Sequence, residues 1–214
     1  MMDSRLRHAG MTATTLTRRW RIVMTPPMAG AENMAYDLAT LDKVARGEDS
    51  PTLRFFRWSR PTLSYGRLQR WDCIRGLVPR GWDAVQRPTG GGVVFHDQDC
   101  CFSLAWKNGE APLPRKIKDV YPWIHGVVQK ALAPWLTLQL ATCRDCRTPP
   151  PSFQERQCFE TPVAFDLLKG TKKIVGGALG RQREGFLYQG TIHEKLGGAA
   201  LQTLADAFER GFDG

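Results

Sequence analysis

Residues 87–97 read RPTGGGVVFHD, with three consecutive glycines between an Arg-Pro-Thr lead-in and an apolar run that ends in His-Asp. Glycine loses more backbone freedom on folding than any other residue, so such a run needs a reason. A second glycine-dense segment, KIVGGALG, covers residues 173–180. Glycines within strand patterns indicate a bulge or the close approach of a ligand or backbone. Because ionisable residues adjoin both runs, the pattern favours a binding cleft over two tight bends in a sheet.

Neither glycine segment matches a common nucleotide-binding motif. A GxGxxG that opens a helix is absent, and so is GxxxxGK[ST]. Alternating and aromatic runs predict strands at 52–58, 82–87, 92–96 and 101–106, and a β-meander over the segments AFDLLKG, KKIVGGALGRQ and FLYQGTIH. Helices are predicted at 30–46, with Gly47 just past the helix end, from close to Pro122 to about 135, and at 201–208. Adjacent strands with few, separate helices predict an α+β fold with a mixed, mostly antiparallel sheet flanked by helices.

Composition and charge limit the class of protein. The 214 residues suit one domain at 21–214, and we expect residues 1–20 to be a disordered extension. No window approaches the ~18 apolar residues of a membrane span, and no secretory signal is visible, so a cytoplasmic protein is expected. The net charge of +9 favours acidic partners. No basic block is interleaved with aromatic residues, so an acidic protein is favoured over nucleic acid.

Six cysteines occur, at positions 73, 100, 101, 143, 146 and 158. Without a secretory signal, reduced thiols are expected. The CRDC segment at 143–146 is a single CxxC, whereas a structural zinc site usually needs a second ligand pair at similar spacing. The sequence therefore predicts small buried or loop thiols for five of the six cysteines, and no metal site.

The glycine segments, taken with their neighbours, resemble a known family. RPTGGGVVFHD resembles the RR-[ST]-GGG-x-V-x-HD signature of the biotin/lipoate protein ligase superfamily. ENMAYDLATLD resembles the opening helix of that family, LRFFRWSRPTLSYGRLQ its first hairpin, and CFETPVAFDLLKGTKKIVGGALGRQREGFLYQGTI its acyl-site region. The similarity runs in order from about residue 30 to residue 194. It implies a domain related to class II aminoacyl-tRNA synthetases that binds lipoyl or octanoyl groups destined for a lysine of lipoyl domains.

The resemblance also assigns roles to individual residues. Lys173 matches the lysine of the family's K-[IV]-x-G-[SG]-A motif, where its charge favours a developing oxyanion. Cys158 stands where one branch of octanoyltransferases places its nucleophile. Arg87 is expected to anchor substrate or loop, and His96 to position the substrate. The glycine run is expected to pass over the acyl chain, where a Cβ would occupy the substrate's space. The expected binding residues are Arg87, Thr89, Gly90, Gly91, Gly92, His96, Gly176, Gly177, Ala178, Gln189, Gly190 and Thr191.

Two enzyme classes remain open on these residues. An octanoyltransferase takes octanoate from acyl carrier protein through a cysteine thioester and needs no tightly bound cofactor. An ATP-dependent lipoate–protein ligase, or the catalytic subunit of a split ligase, forms an acyl-adenylate with ATP and Mg²⁺ and needs no cysteine. Many ligases also carry Cys-Phe at this point, so Cys158 alone does not decide. The transferase is favoured because the chain stops about twenty residues after GTIHE, where single-chain ligases usually continue into another domain.

Departures from the family pattern keep a further alternative open. Residues 176–181 read GGALGR where the family often has GSAQRR, and Gln189 replaces the histidine of H-G-[TS]. A repurposed, non-catalytic acyl-carrier-binding paralogue would share the basic surface, but it would not need both Lys173 and Cys158. A biotin ligase is disfavoured because TGGG replaces its GRGR loop.

The enzyme is expected to be a monomer. Its TGGG and KIVGG segments are expected on neighbouring strands that line one cleft.

Overall fold

The computed structural model describes residues 20–110, 113–114, 116–142, 159–160 and 162–212. The expected extension at 1–20, apart from Trp20, lies outside these residues, as do the CRDC segment and Cys158. The elements in chain order are β1 (Arg21–Met24), α1 (Gly30–Arg46), β2 (Thr52–Phe56), β3 (Thr62–Tyr65), α2 (Trp71–Ile74), a 3-10 turn (Arg75–Leu77), β4 (Asp83–Gln86), β5 (Val94–His96), β6 (Cys100–Lys107), α3 (Ile117–Leu132), β7 (Gln139–Leu140), β8 (Leu167–Lys169), β9 (Lys172–Gln182), β10 (Gly185–Ile192) and α4 (Gly198–Phe212).

Two sheets organise these strands. The larger has seven strands in the order β1-β2-β6-β10-β9-β8-β7, and the smaller has the order β4-β3-β5. Only β1–β2 and β3–β4 pair in parallel among the described strands; the other neighbours are antiparallel. The predicted α+β fold with a mixed, mostly antiparallel sheet is confirmed, and β8, β9 and β10 form the predicted meander. No helix among the described residues is long and apolar enough to cross a bilayer.

The large sheet buries both of its faces because side chains alternate along each strand. On one face, residues such as Phe102, Leu104 and Tyr188 pack against α3 and α4 in the main core. On the other face, α1 covers Ala105 and Leu187 through Leu41 and Val44. Strand residues on the same face as Ala105 and Leu187 therefore point toward α1 and the small sheet.

Helix α3 differs from its prediction at its start. It begins at Ile117, so Pro122 is its sixth residue rather than lying in the first turn. Proline has no N–H to donate to the carbonyl four residues before it, which weakens the helix there. The helix persists because burial of its apolar stripe compensates: Val120, Ile124 and Val128 are all at most 2% exposed.

The two glycine segments also differ from their prediction. The TGGG residues form the loop between β4 and β5 in the small sheet, whereas KIVGG lies in β9 of the large sheet. They are not on neighbouring strands. They approach each other because the loop packs on β9, where a Cβ on Gly180 would lie 3.1 Å from the carbonyl oxygen of Pro88.

Candidate active site

A pocket lies between the two sheets and α1. Nine of the residues expected to serve the reaction line it: Arg87, His96, Lys173, Gly176, Gly177, Ala178, Gln189, Gly190 and Thr191. Apolar side chains from α1, β2, β5 and the segment after β2 complete much of the wall: Met34, Phe56, Trp58 and Val94. The pocket therefore combines an apolar wall with a few buried polar groups, as small-molecule sites usually do.

Arg87 holds the shape of the glycine loop. Its Nη2 donates to the carbonyl oxygens of Gly90 (3.1 Å) and Gly92 (2.7 Å). Gly91 adopts a φ of 87°, which side-chain-bearing residues rarely reach. A Cβ on Gly90 would point into open space. The buried guanidinium of Arg87 thus holds the loop in its conformation. Thr89 and the three glycines are not among the residues that line the pocket.

The glycines of β9 and β10 make room for protein side chains. A Cβ on Gly176 would lie 2.3 Å from Cε of Lys173, and one on Gly177 would lie 2.1 Å from the hydroxyl oxygen of Tyr188. A Cβ on Gly190 would lie 2.6 Å from the ring of Phe102. The sequence pattern suggested that glycine leaves space for a ligand, but at these three positions the neighbouring side chains already fill that space.

Lys173 forms a buried ion pair at the edge of the pocket. Its Nζ lies 2.8 Å from Oδ2 of Asp166, and both side chains are at most 5% exposed. The ammonium also lies 4.8 Å from the ring centroid of Phe159, which lines the pocket. Asp166 was not identified as a site residue from the sequence, although it lies within the predicted strand segment AFDLLKG, directly before the observed β8. The pair fixes a positive charge beside an apolar cavity.

A second buried network holds Gln189 in place. Its Nε2 donates to Asp37 (2.7 Å), and its Oε1 accepts from the hydroxyl of Thr89 (2.8 Å). Asp37 pairs with Arg54 at 2.9 Å, and both side chains are 1% exposed. Burial raises the pKa of Asp37, and the charge of Arg54 opposes this rise. Neither Asp37 nor Arg54 was predicted from the sequence. The charged Arg54 inside the apolar run TLRFFRW was the signal that could have indicated a buried ion pair.

His96 is also fixed on both ring nitrogens. Its Nε2 lies 2.6 Å from Oγ of Ser64, which accepts from Nη1 of Arg87 at 2.6 Å, and its Nδ1 lies 2.6 Å from Asp99. Burial would raise the pKa of Asp99, but the charge of His96 and the hydrogen bonds from His96 and Thr191 lower it to about 2. Neither residue was predicted from the sequence. Ser64 lies within a strand and Asp99 follows Asp-Gln in a turn, so neither belongs to a recognisable motif.

A second histidine, His125, provides a test of the core beneath the pocket. Its ring joins the carbonyl oxygen of Phe165 and the hydroxyl of Tyr188, each at 2.5 Å. Burial lowers the pKa of His125 below 6.5, opposed by the bond to Phe165. The folded protein therefore takes up a proton here less readily than the unfolded chain.

We expect stability to fall as pH drops below about 6.5, because the unfolded chain then gains a proton that folded His125 refuses. Above pH 6.5 this contribution is fully present. Each pH unit between the pKa of the unfolded chain and the lower pKa of folded His125 changes the free energy of unfolding by up to about 1.4 kcal/mol. Urea unfolding at pH 7 and pH 5 measures the effect, and His125→Gln should show a smaller difference between the two pH values. An equal loss of stability in both proteins would contradict this assignment.

The chain is similar to several known proteins. Residues 29–210 match the family model described as the lipoyl protein ligase A/B catalytic domain. The chain belongs to this family. An octanoyltransferase LipM of Oceanobacillus iheyensis is 32% identical over 91% of this chain and 70% of its own length. One of Kyrpidia tusciae is 33% identical over 85% of this chain and 68% of its own length.

A solved structure of protein Ta0514 from T. acidophilum, with lipoic acid bound, has a TM-score of 0.65. It is 19% identical, with 91% of this chain and 86% of that chain covered, so the likeness concerns the fold. The chain is an enzyme of the lipoyl protein ligase A/B family. The octanoyltransferase relatives, at 32% and 33% identity, support lipoyl or octanoyl transfer in protein lipoylation. The resemblance drawn from the sequence is confirmed.

Proposed function

We propose that this enzyme moves an octanoyl group from acyl carrier protein to a lysine of a lipoyl domain through a thioester on Cys158. The observation that carries the proposal is that Phe159, the residue after Cys158, lines the same pocket as Lys173. Relatives named octanoyltransferase cover most of the chain. A lipoyl group is the alternative cargo, and no tightly bound cofactor is required.

The chemistry divides into two acyl transfers. The thiolate of Cys158 attacks the thioester carbonyl, and the carrier's thiol leaves with a proton as the acyl-enzyme forms. The amine of the lipoyl-domain lysine then attacks this thioester, loses a proton, and releases Cys158. Each step passes through a tetrahedral oxyanion, which the ammonium of Lys173 stabilises. Asp166 holds that ammonium in place at 2.8 Å, so its position does not depend on substrate.

The walls of the pocket suit a medium-length acyl chain. Met34, Phe56, Trp58 and Val94 offer apolar surface, so an octanoyl tail leaves water on binding. Gln189 lies on the polar side with both ends of its amide engaged, by Thr89 and by Asp37. Because these bonds already fix the Gln189 side chain, it orients the polar head of the acyl group without losing further conformational freedom when the group binds.

The charge of the chain suits the proposed partners. Its net charge of +9 attracts acyl carrier protein and lipoyl domains, which the family resemblance gives as acidic proteins. Long-range attraction of this kind raises the rate of encounter and weakens as salt increases.

Intact mass spectrometry with octanoyl-carrier protein, with and without ATP, tests the proposal. We expect the enzyme to gain one octanoyl group without ATP and to pass it to an added lipoyl domain. Hydroxylamine should remove the adduct, because it cleaves thioesters. Modification of the lipoyl domain that occurs only with free octanoate, ATP and Mg²⁺ would establish the ligase function instead. Binding of the carrier without any transfer would establish a non-catalytic acyl-carrier-binding protein.

A further inference from the structure

We propose that this protein binds a zinc ion with His96, Asp99, Cys101 and His193. The side chains come from the end of β5, the turn before β6, β6 itself and the residue after β10. Ligand atoms of His96, Asp99 and Cys101 lie within 4.8 Å of one another in a buried group. A thiolate, two imidazoles and a carboxylate are ligand types that Zn²⁺ prefers. No metal site was predicted from the sequence, because the adjacent Cys100 and Cys101 do not supply a second cysteine pair with CxxC spacing.

The distances among His96, Asp99 and Cys101 approach those of a tetrahedral site, whereas His193 lies farther out. Zinc bond lengths place two ligand atoms ~3.3–3.6 Å apart. Sγ of Cys101 lies 3.4 Å from Oδ2 of Asp99 and 3.7 Å from Nδ1 of His96. Oδ2 of Asp99 is 2.6 Å from Nδ1 of His96 and 4.0 Å from Nε2 of His193. Zinc binding would need the distance between Asp99 and His96 to lengthen by about 0.7 Å, and His193 would need to move toward the other three ligands.

Unpaired polar atoms at the cluster indicate an absent partner. Oδ1 of Asp99 and Nε2 of His193 are buried and have no hydrogen-bond partner among the described residues. The Asp99 side chain is 4% exposed. A buried carboxylate oxygen or imidazole nitrogen left unpaired costs about 1–3 kcal/mol. A zinc ion would use the imidazole nitrogen directly. It would also leave one carboxylate and one thiolate neutralised, with no net charge buried.

Outer hydrogen bonds already support three of the four proposed ligands. Nε1 of Trp58 donates to Sγ of Cys101 at 3.2 Å, which stabilises a thiolate. Ser64 meets Nε2 of His96, which leaves Nδ1 to face the metal. The hydroxyl of Thr191 donates to Asp99. Metal-binding residues in proteins usually have such partners, because these fix the ring tautomer and the direction of each ligand.

Zinc would join the two sheets beside the acyl pocket. His96 belongs to the small sheet, whereas Cys101 and His193 belong to the large sheet or directly follow it. The ion would thus fix the strand that carries His96 against the floor of the pocket. This proposal does not depend on the proposed acyl transfer, since its test measures metal binding alone.

Cobalt titration of the reduced, metal-free protein tests the proposal. The background variant carries Cys143→Ser and Cys146→Ser, so that the CxxC segment contributes no signal. We expect one equivalent of Co²⁺, with a thiolate charge-transfer band and tetrahedral d–d bands that Zn²⁺ then displaces. Cys101→Ser should remove the charge-transfer band. Zinc at a hundred times its Kd should raise the folded-to-unfolded ratio about 100-fold.

Two further variants keep the result clear. Cys100→Ser is the matched control, because Cys100 is buried on the opposite face of β6, in the main core, and should leave both bands unchanged. Thr191→Val removes an outer hydrogen bond and should weaken cobalt affinity about 10–100-fold even if Cys101→Ser fails to fold. A background protein without a cobalt–thiolate band, or a band that survives in folded Cys101→Ser, would overturn the proposal.

Discussion

Replacing Cys158 with alanine is expected to remove both the acyl-enzyme adduct and the transfer of octanoate to a lipoyl domain. Removal of a covalent nucleophile lowers turnover by roughly 10⁴–10⁶-fold, because no other group opens the same path. Single-turnover assays with octanoyl-carrier protein measure the rate, and intact mass spectrometry measures the adduct. Binding of the carrier should persist, since the pocket walls and the surface charge are unchanged.

Cys73→Ala is the matched control for this experiment. Cys73 is an exposed, free thiol in the short helix α2 and does not line the pocket. Its removal should leave adduct and transfer at the level of the unmodified protein. A Cys158→Ala enzyme that still modifies a lipoyl domain, and does so only with ATP, would refute the thioester route.

Replacing Lys173 with methionine is expected to slow acylation of Cys158 by about 10²–10³-fold without abolishing it. Loss of one group that stabilises an oxyanion typically has this effect. Methionine keeps most of the buried volume. However, Asp166 then loses its partner, and breaking a buried ion pair destabilises a protein by about 3–5 kcal/mol. Thermal unfolding should therefore be measured beside the acylation rate.

Two variants separate catalysis from stability. Lys172→Met changes the preceding residue in β9, which is exposed, and should affect neither rate nor stability. The double variant Lys173→Met/Asp166→Asn removes the unpaired charge, so it should recover stability but remain slow. A double variant that recovers the acylation rate as well would show that Lys173 acts only through the fold.

The sequence was sufficient for the fold class and for most of the pocket. Alternation and glycine placement predicted the strands of the meander, and the ordered resemblance identified the family. Nine of the expected site residues line one pocket. These features follow from local periodicity and from segments that each carry their own pattern, so no knowledge of long-range contacts was needed.

The reasons for individual residues came from the tertiary structure. Gly176 and Gly177 leave room for Lys173 and Tyr188, which could not be inferred because side-chain direction depends on packing across strands. Arg54 looked like an ordinary strand residue until Asp37, 17 positions away, was seen to pair with it.

The amino-acid sequence by itself determined an α+β enzyme of the lipoyl protein ligase A/B family. Only the tertiary structure placed Asp99 within 4.0 Å of both His96 and His193, since Asp99 and His193 lie 94 positions apart and no sequence motif joins them. The physical reason is burial: in water these groups would be solvated separately, whereas the closed junction between the sheets forces them to share partners.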